Sequence, residues 1–470
     1  MAVCVDVGST YTKLVVVDVD AGRLVATAEH PTTASTDVLH GLDAARSAVA
    51  GLLPDADLSA VYACSSAGGG LRLAVVGYEA MVSAEAGHRV ALSAGARVVH
   101  VASGRLGGAQ LAALRAAGPD VVLLVGGTDG GDAEVLRHNA ARLAAARVRW
   151  PVVVAGNVDV RDEVLATLTG RGVPAVAAAN VLPRIGVLEP QPARSAIREV
   201  FLRHVIGGKK LSRGRRFAGL VRGATPDVVL RAVEVLADHV AGDLLVVDVG
   251  GATTDVYSVV APDEQAAHRP QAEVAGTLWR SRTVEGDLGV RSSATGVVAA
   301  AEVERLVVGD VPWAQAARRR AEAPAMVPAD AAEQDVDLRL AQVAATVALR
   351  RHARGEAVTA GGPRRGGRDL SGVRLVIGSG GVLRHAPVDA ARRVLSAAVT
   401  DTAGGWALPR AARAVVDVDY VLAAAGLLAD EYPDAAVRLL ADRLGLDLAG
   451  GGQTRQYDTP NGDDRVGWTG

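Results

Sequence analysis

The chain has 470 residues, 49% hydrophobic and only 3% aromatic, with a net charge of −2 and two cysteines. Length alone favours about three domains, with cores built from Val, Leu and Ala. The near-neutral charge gives no reason to expect nucleic acid or an anionic membrane as partner. The cysteines are too few for a disulfide framework or a metal cluster, and no apolar run reaches the roughly 18–20 residues of a membrane span.

The chain opens directly on a strand, with no basic-then-apolar leader, which suggests a cytoplasmic protein. Residues 1–30 read as two Val-rich strands around Asp6-Val7-Gly8-Ser9-Thr10, a turn at Asp18–Gly22, and a third short strand at Arg23–Ala28. A helix is expected from Asp37 to about Leu53, stopped by Pro54. A strand at Ser59–Cys64 then leads into Ser65, Ser66 and three glycines.

From about residue 72 to 185 the pattern becomes repeated β–α units. Strands are expected at 97–102, 120–125, 151–155 and 173–177, with helices at 107–117, 132–146 and 159–170. That alternation predicts a parallel sheet covered by helices, in a separately inserted domain. Thr225-Pro226-Asp227 predicts a helix start, with the hydroxyl as cap, running to about Val240. Arg350 to Gly372 reads as an exposed loop, Tyr420 to Glu431 as a helix with a small face at Ala424-Ala425-Gly426, and 450–470 as a disordered tail. The expected division is 1–71, 72–200 (inserted), 201–242 (a connecting helical segment), 243–419, and 420–449 returning to the first part.

The Asp-Val-Gly turn recurs as Asp248-Val249-Gly250-Gly251-Ala252-Thr253-Thr254-Asp255. In each copy a β-branched run ends in a carboxylate, small and hydroxyl residues follow, and a second apolar run begins. Glycine lets consecutive backbone N–H groups converge on an anion. Two such hairpins facing one another predict a cradle for a nucleotide polyphosphate, ATP, lined by Gly8, Ser9, Thr10, Thr12, Gly250, Gly251, Thr253 and Thr254. Lys13, one of only three lysines, would offset phosphate charge.

Asp6 and Asp248 would hold Mg²⁺ mainly through water. One of them, or Asp255, would orient the attacking water in phosphoryl transfer. A third glycine turn, Gly378-Ser379-Gly380-Gly381, follows a strand and offers bare backbone to an adenosine ring. Neither a Walker motif nor a Rossmann glycine fingerprint is present.

Other motifs leave alternatives open. Gly126–Asp132 is either a second ligand loop or docking surface, or a tight strand–helix connection. Glu285 and Asp287 flank a glycine as though to reach the nucleotide or metal. Cys64-Ser65-Ser66 reads as a structural turn rather than a nucleophile elbow, since no His/Asp partner is evident. The ten histidines show no zinc-type pairing.

The three glycine turns in this order resemble the actin, sugar-kinase and Hsp70 ATPase superfamily. Further motifs are similar to one family within it, the glutamate mutase accessory proteins of the MutL type, unrelated to the mismatch-repair protein of that name. These are Gly126–Gly131 with His138-Asn139, Asn180 to Gly186, Pro192 to Arg198, Arg282 to Gly289 and Ile377 to Gly381. The resemblance spans about residues 2–430. It implies an α/β fold of two ribonuclease-H-like lobes with an inserted parallel-sheet domain. It also implies an accessory ATPase that maintains or reactivates an adenosylcobalamin-dependent mutase by nucleotide-driven lobe closure. Ala252 departs from the third glycine common in the superfamily's second turn. The alternative function is a small-molecule kinase, or an ATP-dependent ligase or hydrolase of the hydantoinase type.

Overall fold

Buried β-branched runs set the architecture. The computed structural model describes residues 1–67, 71–79, 83–205, 211–213, 216–260, 280–306, 312–357, 364–365 and 367–448. In chain order the strands are β1 (Ala2–Val7), β2 (Tyr11–Asp18), β3 (Arg23–Pro31), β4 (Val61–Ser65), β5 (Leu71–Gly77), β6 (Ala96–Ser103), β7 (Val121–Leu124), β8 (Val152–Val154), β9 (Ala175–Ala177), β10 (Val221–Ala224), β11 (Asp243–Val249), β12 (Thr254–Val259), β13 (Arg280–Glu285), β14 (Glu356–Ala357), β15 (Arg364–Arg365), β16 (Val373–Ser379) and β17 (Arg413–Val416).

Two of the three large sheets are copies of one plan. The first runs β10-β4-β1-β2-β3 and the second β17-β16-β11-β12-β13. In each, three strands meander antiparallel and two more add parallel to the first. This is the ribonuclease-H-like order, so the chain carries two such lobes. Their central strands are buried on both faces, hence the unbroken runs Ala2–Val7 and Leu244–Val247. The third sheet, β6-β5-β7-β8-β9, is wholly parallel and doubly wound.

Between the lobes lies a layer of helices, 225–237, 421–428 and 433–444. One core joins Cys4, Val15 and Val17 of the first sheet to Val246, Tyr257 and Ile377 of the second through these helices. Helix 421–428 is buried all round, as its wholly apolar sequence requires. Its small face does what its composition predicts: a Cβ on Gly426 would sit 1.9 Å from the Val228 carbonyl oxygen.

Several expectations are corrected. The segment 71–93 holds a strand and a helix (Ser83–Ser93) that the pattern did not announce. Residues 201–242 are not simply helical, because β10 there completes the first sheet. Arg350 lies within helix Ala331–Arg354 rather than in a loop. It is only 2% exposed, because Asp401 receives its guanidinium through two bonds of 2.6 and 2.9 Å and Glu304 through another. Thr225 does not cap its helix: Ala224 occupies the cap position and the hydroxyl turns inward. The 450–470 tail lies outside the described residues.

Gly426→Ala forces helix 421–428 off helix 225–237. It is expected to cost about 1–3 kcal/mol and lower the thermal unfolding midpoint. Gly51→Ala, with nothing within 4 Å of the new Cβ, should be neutral or stabilising by up to about 1 kcal/mol. Parallel melting curves of the two variants check both outcomes.

Candidate nucleotide-binding cleft

The two turns are built alike. The Gly8 N–H donates to the Tyr11 carbonyl at 3.0 Å and the Gly250 N–H to the Thr253 carbonyl at 2.9 Å. A Cβ on either glycine would stand 2.8 or 2.9 Å from that carbonyl oxygen, so no other residue fits without a shift. The turns face each other: a Cβ placed on Gly251 would lie 4.0 Å from Thr10 Oγ1. Among the described residues, the N–H groups of Ser9, Thr10, Gly251 and Ala252 have no hydrogen-bond partner. They leave four unused donors at the tips of two opposed turns, and Ser9 and Thr10 are exposed.

The strand register sets what stands behind each tip. Asp6 pairs across the hairpin with Lys13, and Asp248 pairs with Asp255. Asp6 is 4% exposed and saturated. Its Oδ1 accepts from Thr225 Oγ1 (2.5 Å) and the Cys64 thiol (3.5 Å). Its Oδ2 accepts from Tyr420 OH (2.9 Å) and lies 3.8 Å from Lys13 Nζ. Three hydrogen-bond donors and the Lys13 ammonium crowd a carboxylate with roughly four acceptor sites, which leaves Asp6 little room for a direct metal bond. Lys13 also rests 3.6 Å from the centroid of the Tyr420 ring.

Asp248 differs. Among the described residues its carboxylate has no hydrogen bond or ion pair. Burial first, then the neighbouring Asp255 charge, push its pKa up to about 7. Gly380, at φ +102°, closes over it: a Cβ there would meet the Val249 carbonyl oxygen at 2.1 Å and Asp248 Oδ1 at 3.0 Å. Asp255 Oδ1 receives Arg282 Nε and Nη2 at 3.0 and 2.6 Å, and its Oδ2 accepts from Thr253. Arg282 thus occupies one face of Asp255, one of the three carboxylates considered for orienting water.

Strand alternation corrects two further assignments. Thr12 and Thr254 are 0% exposed and point to the face opposite Lys13 and Asp255. Thr12 bonds Thr32, whose hydroxyl donates to the Gly8 carbonyl, and Thr254 donates to the Leu288 carbonyl. They brace the turns from behind. Gly378 likewise faces Leu395 at 2.5 Å from its would-be Cβ, whereas Gly381 opens on free space. Ser379 sits beside Asp248 in register and is 3% exposed.

Glu285 and Asp287 do not approach the turns as ligands, because Arg351 holds both. Their motif supports the second turn instead. The Val290 and Arg291 N–H groups donate to the Gly250 and Gly251 carbonyls, and Gly289 packs on the turn's backbone, where a Cβ would stand 2.4 Å from the Ala252 carbonyl carbon. The Gly126–Asp132 loop is tied to its neighbours: Asn180 donates to the Gly127 carbonyl and to Asp129, Asp159 accepts from the Gly130 N–H, and Asp132 accepts from the Glu134 N–H at the start of the next helix. Ser65 is a turn residue, donating to the Val7 carbonyl and accepting from the Ala67 N–H. Among the described residues no cluster of three metal-ligating side chains occurs.

Tyr420, Thr225, Arg282 and Asp417 are the site residues that the motifs missed. Tyr420 adopts φ +59°, uncommon for a residue with a side chain. Asp417 accepts from the Val421 and Leu422 N–H groups and so starts helix 421–428.

Two ribonuclease-H-like lobes opposed across paired glycine turns define an actin-like ATPase fold. The chain belongs to the MutL protein family, whose model matches residues 2–444. Protein MutL of Clostridium tetanomorphum is 37% identical over 458 residues, covering 93% of this chain and 98% of that one. Solved structures with a similar chain path include component A of Acidaminococcus fermentans (R)-2-hydroxyglutaryl-CoA dehydratase (10% identity, 93% and 98% of the two chains, TM-score 0.30). Another is the ethanolamine utilization protein EutJ of Carboxydothermus hydrogenoformans (12% identity, 93% and 89%, TM-score 0.30). Among the described residues no helix is long and apolar enough to cross a membrane.

Burial raises the Asp417 pKa from 3.8 to about 6. The folded state therefore holds this proton more tightly than the unfolded chain. The stability gained is complete below about pH 4 and lost as pH rises through about 6. Asp417→Asn keeps a helix cap without titrating. Its stability relative to the parent should rise between about pH 4 and 7, as read from urea unfolding across that range.

Proposed function

We propose that this protein is a nucleotide-dependent ATPase that acts on a partner protein, with ATP and Mg²⁺ taken between the two turns. The carrying observation is the pair of opposed turns with unpartnered N–H groups at their tips and one unpaired carboxylate, Asp248, at their base. The free N–H groups of Ser9, Thr10, Gly251 and Ala252 would receive phosphate oxygens, and Gly380 and Gly381 the nucleoside. Lys13, on the opposite hairpin, offsets phosphate charge. Asp248 fits Mg²⁺, which keeps most of its waters and needs few protein oxygens. When bound, the cation would neutralise phosphate charge. Asp6 acts at one remove, fixing Lys13 and Tyr420. Asp255 keeps one oxygen turned from Arg282, which leaves it able to orient water.

The proposed partner is an adenosylcobalamin-dependent mutase, maintained or reactivated through lobe closure. The motif set of the MutL family supports this choice. The helical layer between the lobes gives closure a mechanical basis, since it packs on both sheets.

Calorimetric titration should show Mg²⁺-dependent ATP binding. Asp248→Asn should weaken the Mg²⁺-dependent part by at least about tenfold. Lys13→Met should weaken ATP by about tenfold, the scale of one lost charge-assisted contact. A protein that binds no nucleotide would overturn the reading. A mutase subunit should co-purify in one nucleotide state and not the other. ATP-dependent turnover of a metabolite in the absence of any mutase would replace the partner role with a kinase or hydrolase.

A further inference from the structure

Helix 83–93 of the third sheet's domain ends against two elements, one tied to each nucleotide turn. Arg282 makes the first contact. It is 3% exposed, gives Nε and Nη2 to Asp255, and reaches with Nη1 to the Leu92 carbonyl at 3.5 Å. Leu92 lies in the last turn of that helix, where exposed carbonyls favour a cation. Asp255 is the register partner of Asp248, so the link to the second turn is two side chains long.

Gly95 makes the second contact. At φ +76° it lies so close to helix 225–237 that a Cβ would stand 2.6 Å from the Asp227 nitrogen. Two residues earlier in that helix, Thr225 donates to Asp6 of the first turn. Asp227 is itself anchored by Arg194 and Arg198, from the helix that leaves the inserted domain. Beside this seat is a cavity of about 370 Å³. His88, Leu92 and Arg97 line it from the inserted domain, and Thr283, Glu285 and Asp287 from the second lobe. It gives the helix end space to move.

We propose that residues 92–95 are the seat through which the inserted domain senses the separation of the two turns, with Arg282 as its positioning residue. A ligand drawn between the turns shifts Asp255 relative to Asp6. The two anchors of the helix end then move relative to each other, and the inserted domain reorients on its seat. The inference rests on the nucleotide reading above and adds the route by which occupancy reaches the domain.

Amide hydrogen exchange of the full chain, with and without Mg²⁺ and ATP, tests it alongside calorimetric ATP binding. In the parent protein, ATP should change protection in 83–103 by about fivefold or more, the lower range of site–site coupling. Gly95→Ala, which lifts the seat without touching the cleft, should bind ATP and lose that change. Arg282→Lys keeps the charge but not the forked contact, and should retain only part of it. ATP binding with no protection change in 83–103 of the parent overturns the inference alone. An unchanged response in a folded Gly95→Ala protein does the same. Absence of ATP binding overturns the nucleotide reading and this inference together.

Discussion

The satisfaction of one buried carboxylate governs how the lobes meet. Asp6 collects donors from β2, from β4, from the start of helix 225–237 and from Tyr420 at the head of helix 421–428. A carboxylate this enclosed is costly unless every acceptor site is filled. Its three hydrogen-bond donors and the Lys13 ammonium therefore come as a set. Together they fix the helical layer against the first sheet and hold the Lys13 ammonium over the Tyr420 ring. The second hairpin has no such set: Asp248 is unpaired and Asp255 is gripped from one side by Arg282. From one repeated motif the fold makes a hairpin whose carboxylate is fully engaged and a hairpin whose carboxylate is unpaired.

This asymmetry separates chemistry from support among residues that look equivalent in sequence. The tips Ser9–Thr10 and Gly251–Ala252 face the cleft, while Thr12 and Thr254, one strand position away from Lys13 and Asp255, hold the turns from behind. The Arg282–Gly289 motif serves the cleft indirectly. The N–H groups of the two residues that follow it, Val290 and Arg291, clamp the second turn, its arginine ties Asp255, and its acids are held by Arg351.

Much of the fold was legible because local signals coincide with tertiary ones. Unbroken Val/Leu runs marked central strands, Asp37 and Pro54 bracketed a helix, and Ala424-Ala425-Gly426 announced a close helix contact. The paired turns were legible for the same reason: a glycine that must approach a carbonyl leaves a fixed spacing. The side of the strand on which a hydroxyl falls depends on register, which spacing within a four-residue turn does not reveal. Thr12 and Thr254 were misread for that reason. Tyr420 acts through Asp6, 414 positions away, with no local signature, and the Arg282–Gly289 motif displayed its acids without revealing the partner of its arginine. Arg350 looked like loop because its neighbourhood is Arg/Gly-rich, yet paired acids from two other segments bury it.

The same carboxylate also constrains how the chain matures. Thr225 and Tyr420 lie 219 and 414 positions beyond Asp6, and β10 joins β4 only after the whole inserted domain has been made. Contacts this distant close slowly and late. The β1–β2 hairpin therefore cannot be completed until Tyr420 and helix 421–428 have been made. The inserted domain, whose strands are contiguous in sequence, can condense earlier. Completion of the first lobe thus lags far behind its own translation, and its unpaired β4 edge waits for β10 in the meantime.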